Sequence, residues 1–306
     1  MDTKVSVIIP TYNRPQKLEE ALDTVNNQSY ENIEIIVVND GSDVSYSTVT
    51  ALDNPNVRYF KHSENQGACA ARNTGIKQAS GKFLAFLDDD DKWRQSKVRE
   101  GINELETSDK DTKVCYSGVI HKNGNGDVKS VKKAKNRGWI TDEILLGNFV
   151  GTFSNVIIEK EAVLETGLLD EDFPAWQDWE WYIRLSLDHK YTYNKSNNTV
   201  HVEHEEERMS SDSTRTESAL YKMIDKHTDT ARKYGLSKKF QSRCYSTKAR
   251  YGLTTGNYDK AIQFSLLSLV LDKSNMHGLK ILAAALDDGL GYRAIRSVKS
   301  LFHYIR

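Results

Sequence analysis

Cysteine is scarce in this chain, which contains only Cys69, Cys115 and Cys244 and no C-x-x-C spacing. An odd number of cysteines without that spacing argues against a disulfide framework, so we expect free thiols in a reducing compartment. The chain also has no large excess of charge of either sign, since it contains 42 basic and 43 acidic residues. A chain with this balance is not expected to bind nucleic acid.

Long apolar runs are missing as well. The longest, over residues 262–271, is interrupted by Gln263, Ser265 and Ser268 and is too short and too polar to span a bilayer. No basic and apolar leader stands ahead of the first predicted strand. We therefore expect a cytoplasmic protein, and we leave open a peripheral contact with the inner face of the cell membrane.

Strand and helix signals alternate through the first third of the chain. The predicted helices are 15–25, which Pro15 opens, and 67–78. The predicted strands are apolar throughout and comprise 5–9, 33–38, 57–60 and 83–87. Apolar strands separated by helices indicate an α/β fold with a mostly parallel sheet that is covered on both faces.

The pattern is less regular from about Lys113 onward. We predict one strand over Lys113–Ile120, a mobile loop across the basic stretch Lys129–Arg137, a strand over Phe153–Ile158, and a loop entering a helix over Trp176–Leu187. After residue 213 only helical spacing remains. We therefore divide the chain into residues 1–213 and a helical C-terminal region, 214–306.

Two segments of the C-terminal region leave alternatives open. Gly256-Asn257-Tyr258 resembles the turn of a tetratricopeptide helix pair, but a lone match favours a plain helical appendage. The segment 292–302 places Ile295, Val298 and Phe302 on one side of a helix with basic residues around them. It fits either a peripheral membrane helix or a helix that docks on the rest of the appendage.

Polar side chains come directly after the predicted strands. In a parallel sheet, ligands bind at the carboxyl ends of the strands. Thr11 and Tyr12 follow the first strand, Asp40 follows the second, and Asp88–Asp91 follows the strand at 83–87. A ring beside a carboxylate suits a nucleobase. Four carboxylates after an apolar strand are unfavourable unless a cation neutralises them, and Mg²⁺ or Mn²⁺ bridging a diphosphate would do so.

Glycine-rich phosphate loops are absent, since neither GxGxxG after a strand nor GxxxxGK[ST] occurs. A diphosphate would therefore be held by the metal and by basic side chains, and Arg72 on its small-residue helix is the best candidate. The alternatives at these positions are a packing tyrosine for Tyr12, a turn aspartate for Asp40 and a solvated acidic turn for Asp88–Asp91.

Four ordered blocks of the sequence resemble family 2 glycosyltransferases of the GT-A fold. They are VSVIIPTYNRP from Val5, VVNDGS from Val37, NQGACAARNTG from Asn65 and FLDDDDKW from Phe86. The resemblance implies a base pocket at Thr11, Tyr12 and Asp40, with Pro10 and Asp89 also counted as donor-binding. It places Arg72 near the base or phosphate, Asp88 at the ribose and Asp90 on the metal, and the register leaves Asp89 and Asp91 as substitute ligands.

A second signature of that family appears in part at Trp176–Trp181, where Gln177 stands in place of the usual glutamate. By the resemblance Asp178 is the general base that takes the acceptor proton, and Glu180 is the rival carboxylate. Related enzymes often have a metal-binding histidine further on. His204 fits that position better than His201, although the two are not cleanly separated.

The resemblance therefore implies an inverting glycosyltransferase of hexosyltransferase type. It would transfer a sugar, from a UDP-sugar by preference, to a saccharide or lipid-linked saccharide in glycan, polysaccharide or glycolipid synthesis. A non-catalytic sugar-nucleotide-binding scaffold protein and a sugar-nucleotide pyrophosphorylase are the alternatives. The donor sugar, the acceptor and the oligomeric state are left open.

Overall fold

The computed structural model describes residues 2–47, 49, 54–202 and 213–287. Within these ranges the strands are β1 Val5–Thr11, β2 Ile33–Asn39, β3 Val57–Lys61, β4 Phe83–Phe86, β5 Asp91–Trp93, β6 Thr112–Tyr116, β7 Val119–Lys122, β8 Val128–Lys132, β9 Val156–Glu159, β10 Lys190–Tyr193 and β11 Thr199–Val202. The helices are α1 Pro15–Asn26, α2 Ala68–Gln78, α3 Lys97–Glu106, α4 Thr141–Leu145, α5 Lys160–Thr166, α6 Gln177–Asp188, α7 Ser213–Lys233, α8 Ser237–Thr254, α9 Tyr258–Leu271 and α10 Met276–Leu286.

Seven strands form the main sheet in the order β10-β6-β9-β4-β1-β2-β3. β1 pairs in parallel with β2 and β4, whereas β9 runs antiparallel to both β4 and β6. All seven residues of β1 are buried, as expected for a strand covered on both faces. The predicted α/β fold with a mostly parallel sheet is confirmed.

Helix α1 shows why apolar spacing in the sequence predicted a helix correctly. α1 begins at Pro15, whose missing N–H is harmless in the first turn. Its buried side chains include Leu18, Ala21, Leu22 and Val25, which lie on one face by helical spacing. β1 continues through Pro10, which pairs with Val38, to Thr11. The strand therefore does not end at the proline as predicted.

Three predicted elements were wrong in detail. The basic stretch includes a strand, β8, where we predicted only a loop. The single strand predicted over Lys113–Ile120 is two strands, β6 and β7, which belong to different sheets. Between them a Cβ on Gly118 would lie 2.7 Å from the Lys132 carbonyl oxygen, so only glycine fits there. The strand predicted from Phe153 begins as a 3₁₀ turn and becomes β9 only at Val156.

A second sheet has the order β5-β11-β7-β8. β5 begins within the acidic run at Asp91, which no local pattern predicted, because its pairing partner β11 lies more than a hundred residues later. β11 pairs antiparallel with β5 and places His201 opposite Asp91.

The chain forms two compact units. The first comprises Met1–Ile140, Phe149–Glu171 and Trp181–Glu205; the second comprises Thr141–Asn148, Asp172–Glu180 and Glu206–Arg306. The second unit therefore includes two short segments that precede the predicted boundary at residue 213. Helices α7 to α10 confirm the helical C-terminal region over its described part.

The turn between α8 and α9 contains the tetratricopeptide-like fragment. The Asn257 side chain accepts a hydrogen bond from the Lys260 N–H and caps α9. A Cβ on Gly252 would lie 2.9 Å from the Ala261 nitrogen, so glycine allows α8 and α9 to approach closely. Within the described ranges, none of the helices has the length and apolarity needed to cross a membrane. The segment 292–302 lies outside the described residues.

Candidate functional site

Because β1 lies between β2 and β4 in parallel, the carboxyl ends of these three strands meet at one edge of the sheet. The Thr11 hydroxyl, at the end of β1, donates a 2.8 Å hydrogen bond to Asp89 Oδ2. The structure therefore brings a predicted base-pocket residue into contact with the acidic run. Pro10 lies one residue earlier in the buried strand.

Tyr12 follows the sheet edge and is 41% exposed, which leaves open both a ring that stacks on a base and the alternative of a half-buried packing tyrosine. Asn13 follows it with φ 56, a left-handed conformation that turns the chain away from the strand. Behind this turn the Tyr46 hydroxyl lies 3.0 Å from Thr11 Oγ1 and accepts a hydrogen bond from the Arg14 N–H. The loop after β1 is thus held by hydroxyl groups, while the Tyr12 ring remains accessible.

Groups of the protein itself take up most of the hydrogen-bonding capacity of the Asp40 carboxylate. Oδ1 lies 2.8 Å from His62 Nδ1 and accepts from the Gln66 N–H, and Oδ2 accepts from the Gly67 N–H at 2.7 Å. The second ring nitrogen of His62 lies 2.9 Å from the hydroxyl of Thr74 on α2. Asp40 therefore orders the loop that leads into α2, and its contact with a nucleobase stays a prediction.

The acidic run is a tight turn between β4 and β5, closed by a hydrogen bond from the Asp91 N–H to the Asp88 carbonyl oxygen. Its carboxylates alternate in exposure. The side chains of Asp88 and Asp90 are 24% and 30% exposed, whereas those of Asp89 and Asp91 are 7% and 1% exposed. The turn thus presents one pair of carboxylates to solvent and directs the other pair inward.

Each carboxylate of the run has a basic neighbour in this unit. Arg72 donates to Asp88, Arg14 Nη1 lies 3.2 Å from Asp89 Oδ1 and 3.3 Å from Asp90 Oδ2, and His201 Nδ1 lies 2.7 Å from Asp91 Oδ1. The sequence argument required a cation beside this run and named a metal ion as one source, but a metal ion is not the only source of positive charge here. Two arginines and a histidine supply partners without one.

Burial raises the pKa of Asp89 to about 6, although the hydrogen bond from Thr11 opposes the shift. Burial also raises the pKa of Asp91, and the hydrogen bond from His201 opposes that shift. Asp91 Oδ2 is buried and has no hydrogen-bond partner among the described residues. These two carboxylates face the protein interior, where their charge is disfavoured.

Asp88 and Asp90 suit a divalent cation in their chemistry, since Mg²⁺ and Mn²⁺ prefer oxygen ligands. Over the described ranges, no group of three or more histidine, cysteine, aspartate or glutamate side chains is arranged to hold a metal. The residues therefore fit an ion that is bound by one or two carboxylates and completed by the phosphates of a ligand.

The two candidate histidines have different outcomes. His201 is paired with Asp91, and its ring centroid lies 5.5 Å from that of His121. His204 lies outside the described residues, so its predicted role as a metal ligand stays a prediction.

Arg72 is buried on α2 beside the acidic run. Its guanidinium carbon lies 4.1 Å from the centre of the Phe153 ring, and its Nε has no hydrogen-bond partner among the described residues. Desolvation opposes its charge, but the contact with Asp88 outweighs this and raises the pKa of Arg72. The side chain is therefore a fixed cation at the sheet edge.

In the second unit, Asp178 lies in the first turn of α6 and is half-buried. Oδ1 accepts from the Trp179 N–H at 2.8 Å, and Oδ2 accepts from Asn148 Nδ2 at 3.0 Å. The amide oxygen and nitrogen of Asn148 are assigned from this network. Trp176 precedes the helix with φ 60, a strained conformation for a bulky residue. A carboxylate is favoured at this helix N-terminus.

Glu180, the rival carboxylate, is only 1% exposed and pairs with α7. Lys226 Nζ lies 3.0 Å from Glu180 Oε1, and His227 Nε2 lies 3.4 Å from the same oxygen. A buried, paired carboxylate is a poor candidate to receive a proton from a bound acceptor. Its position indicates a structural role between α6 and α7.

The tryptophans of the second signature are buried rather than presented to solvent. Trp176 stacks on Tyr251 with ring centroids 6.1 Å apart, and Trp179 donates to the Ile144 carbonyl oxygen. Trp181, in the first unit, packs edge-on against Phe86. These contacts indicate that the three tryptophans pack in the protein interior.

Sequence reasoning missed two site-forming residues, Arg14 and Asn148. Arg14 stands within the first of the four blocks, and its position directly after Tyr12-Asn13 was the available signal. Asn148 had none, because it lies 30 residues before the aspartate that it contacts.

Comparison with known proteins supports the resemblance of the four blocks. The family model described as Glycosyl transferase family 2 matches residues 6–167. An uncharacterized glycosyltransferase of Rickettsia felis is 46% identical over 107 residues, which are 34% of this chain and only 18% of that protein.

Two further comparisons extend beyond the first hundred residues. A Campylobacter jejuni protein named GalNAc(5)-diNAcBac-PP-undecaprenol beta-1,3-glucosyltransferase is 34% identical over 179 residues, or 56% of each chain. The crystal structure of S. aureus TarS 1-349 in complex with UDP-GlcNAc matches with a TM-score of 0.68 and 19% identity, covering 96% of this chain and 90% of that chain. The two proteins share a fold.

Proposed function

Because the chain belongs to glycosyl transferase family 2, we propose that it is an enzyme that transfers one sugar from a nucleotide-diphosphate sugar to an acceptor hydroxyl, with inversion. The observation that carries this proposal is the turn after β4. There Asp88 and Asp90 are presented to solvent beside two arginines, while Asp89 and Asp91 are buried. This arrangement suits a ligand that carries both a diphosphate and a divalent cation.

For the donor, we place the nucleoside at the ends of β1 and β2 and prefer UDP-sugars. Tyr12 offers an exposed ring for stacking, and Pro10, Thr11 and Asp40 form the edge beside it. Arg72 and Asp88 would contact the phosphate and ribose side of the donor. The UDP-GlcNAc bound by S. aureus TarS, which has the same fold, supports the uridine preference.

For the metal, Asp90 would hold Mn²⁺ or Mg²⁺ together with the donor phosphates, and His204 stays a candidate ligand. When bound, such an ion stabilises charge on the leaving diphosphate as a Lewis acid. Arg14 already contacts Asp90 and would help to keep its carboxylate in place. Arg72 adds a fixed positive charge on the phosphate side.

For the acceptor, Asp178 would take the proton of the attacking hydroxyl. Asn148 and the Trp179 N–H hold its two oxygens, so the carboxylate has a defined orientation. The name of the Campylobacter jejuni relative supports a lipid-linked saccharide as the acceptor. In this proposal residues 1–213 are the catalytic domain, and residues 214–306 recognise the acceptor or a partner.

The experiment is a screen of UDP-, GDP- and dTDP-sugars by thermal shift, with Mn²⁺ and with EDTA, followed by transfer assays. We expect a Mn²⁺-dependent rise in Tm with one donor, because a ligand bound by the folded state stabilises it. We also expect slow release of the nucleoside diphosphate from that donor. Binding without turnover on any acceptor would favour the scaffold alternative, and consumption of donor by pyrophosphate would favour the pyrophosphorylase.

A further inference from the structure

Charge is distributed unevenly between the two parts of this nearly neutral chain. Residues 213–287 contain 13 lysines and arginines against 6 aspartates and glutamates, although the net charge of the whole chain is only −1. Helices α7 to α10 are therefore strongly basic, and the rest of the chain is acidic. Nothing in the proposed transfer reaction requires this separation of charge.

The basic residues concentrate at one end of the helical unit. The last turn of α7 and the first turn of α8, which flank the α7–α8 turn, contain Arg232, Lys233, Lys238 and Lys239, all of which are exposed. A cavity of about 420 Å³ is lined by residues of this turn and by Leu271 and Asp272 at the end of α9. The α7–α8 turn therefore lies next to the α9–α10 turn, and we call the two together (residues 232–239 and 270–280) the basic–apolar end.

Large apolar side chains are exposed at the same end. Val270, the residue before Leu271, is 79% exposed, and Met276 at the start of α10 is 57% exposed. Leu279, one turn further along α10, is also exposed, and Tyr234 is exposed within the basic turn. Exposed apolar groups beside lysines and an aromatic ring are typical of segments that lie in a membrane interface.

The acidic groups of this end do not cancel its charge. Asp229 pairs with Arg232 within α7. Asp272 accepts hydrogen bonds from the Ser274 N–H and hydroxyl, and these bonds together with the nearby charges of Lys239 and Arg243 lower its pKa. Lys233, Lys238 and Lys273 still leave this end positive.

From charge complementarity we propose that the basic–apolar end binds the surface of a bilayer containing anionic phospholipids. The lysines would contact the headgroups, while Val270, Met276 and Leu279 enter the boundary with the acyl chains. A polyanion such as nucleic acid would use the lysines but would give the exposed apolar side chains no favourable environment. The combination of both features therefore favours lipid.

The test is sedimentation of the full chain with vesicles of phosphatidylcholine alone or mixed with phosphatidylglycerol. We expect binding to the mixed vesicles that weakens with added salt. Lys238→Ser combined with Lys239→Ser should weaken this binding about 25-fold, because each lysine near an anionic surface contributes about fivefold. Val270→Asn combined with Met276→Gln should weaken it by roughly tenfold, with little change in the salt dependence.

A matched control removes two exposed lysines of the first unit, by Lys129→Ser with Lys132→Ser on β8, and should bind vesicles like the unaltered protein. Thermal unfolding of each variant checks that the exposed substitutions leave the fold intact. Absence of binding to mixed vesicles would overturn the proposal, as would an equal loss in the control pair. Binding to heparin but not to vesicles would instead identify a polyanion site. None of these measurements depends on transferase activity.

Discussion

At the end of β4, Asp91 is buried against His201, while Asp90 is partly exposed beside Arg14. In the first turn of α6, Glu180 is buried against Lys226, while Asp178 is half-buried and held by Asn148 and a backbone N–H. The two regions belong to different units and have different secondary structures. Both nevertheless divide neighbouring carboxylates into one that faces a basic partner inside the protein and one that faces outward.

The two regions differ in how they achieve this division. The turn after β4 uses Arg14 from the loop after β1, Arg72 from α2 and His201 from β11 of the second sheet, so its geometry depends on distant parts of the first unit. The α6 turn uses its helical spacing, which directs positions two apart to different sides. In both places the depth of burial therefore separates structural carboxylates from candidates for chemistry, although the carboxylates stand close together in the sequence.

The largest expected effect is in the first region. Asp90→Asn should lower the transfer rate by at least about 10³-fold, because it removes the charge that would balance the metal ion at the leaving group. The fold should survive, since Asp90 is partly exposed. Initial rates and donor affinity, each with and without Mn²⁺, measure the effect. Turnover close to that of the unaltered enzyme with Mn²⁺ bound would show that Asp90 is not the metal ligand.

Asp91→Asn is the matched control within the same turn. It replaces a buried carboxylate, whose charge burial disfavours, by an amide whose oxygen can still accept from His201, so we expect the free energy of unfolding to change by less than about 2 kcal/mol. The transfer rate of the folded variant should change far less than in Asp90→Asn. Equal rate losses in the two variants would mean that the run is not divided as the structure suggests.

In the second region, a substitution should lower the transfer rate and leave the donor affinity unchanged. Asp178→Asn should lower the rate by roughly 10² to 10⁴, the range for loss of a general base, because an amide cannot take the acceptor proton. Asn148 can turn its amide to keep the contact, so the geometry should persist. Donor affinity and initial rates against one working acceptor are the measurements. A loss of donor affinity would indicate a structural role for Asp178.

Lys97 is a buried basic residue and can be compared with the buried carboxylates of the two regions. Lys97 donates to Ser117 Oγ and to the Asn155 carbonyl oxygen, and burial lowers its pKa to about 7. The unfolded chain therefore binds more protons than the folded chain between about pH 7 and pH 10, so stability should rise with pH over this range. Relative to Lys97→Met, the free energy of unfolding should increase by about 3 kcal/mol.

Urea unfolding of both proteins at several pH values measures this difference. Using the difference removes the contribution of other lysines and tyrosines that titrate at alkaline pH. Parallel pH profiles for the two proteins would show that Lys97 is charged in the folded protein at pH 7 and above. A steeper profile in Lys97→Met would contradict the sign of the shift.

A smaller effect is expected for the buried carboxylate of α6. Glu180→Gln weakens the pairing with Lys226 and His227, and because Lys226 can turn toward solvent we expect a loss of about 1–3 kcal/mol in unfolding free energy. The transfer rate should change little. Glu217→Gln, which breaks a more exposed pair with Lys260, is the control and should cost under about 1 kcal/mol. A catalytically dead but stable Glu180→Gln would make Glu180 the base.

The smallest effect is expected for Gln177→Glu. The substitution removes a hydrogen bond to the Phe173 carbonyl oxygen but adds a negative charge at the helix N-terminus. These contributions oppose each other, so both stability and rate should remain within about 1 kcal/mol of the unaltered enzyme. Thermal unfolding and initial rates check this. A large loss of activity would show that the partial match of the second signature is functionally significant.

Local sequence patterns predicted much of the fold. The wrong predictions for β5, β8 and the β6–β7 split share one cause. β1, β2 and β4 are apolar because both faces of the sheet are covered, and α1 carries its apolar face at helical spacing. β5 and β8 are short or fully exposed, so they lack an apolar signal and exist only because partner strands pair with them. The split between β6 and β7 likewise depends on which sheet each half joins.

The site shows the same limit. Family 2 membership, the positions of Thr11, Tyr12, Asp40 and Asp88–Asp91 after strands, and the position of Arg72 on a helix followed from the sequence, because blocks of adjacent residues carry that information. Only the tertiary structure decided which carboxylates turn inward. Asp91 meets His201 from a strand 110 residues later, and Glu180 meets Lys226 from the next helix, so the partners that set burial and charge lie far from the acidic residues in the chain. A carboxylate's environment is a property of the folded neighbourhood, and four aspartates with the same local sequence can therefore take two different roles.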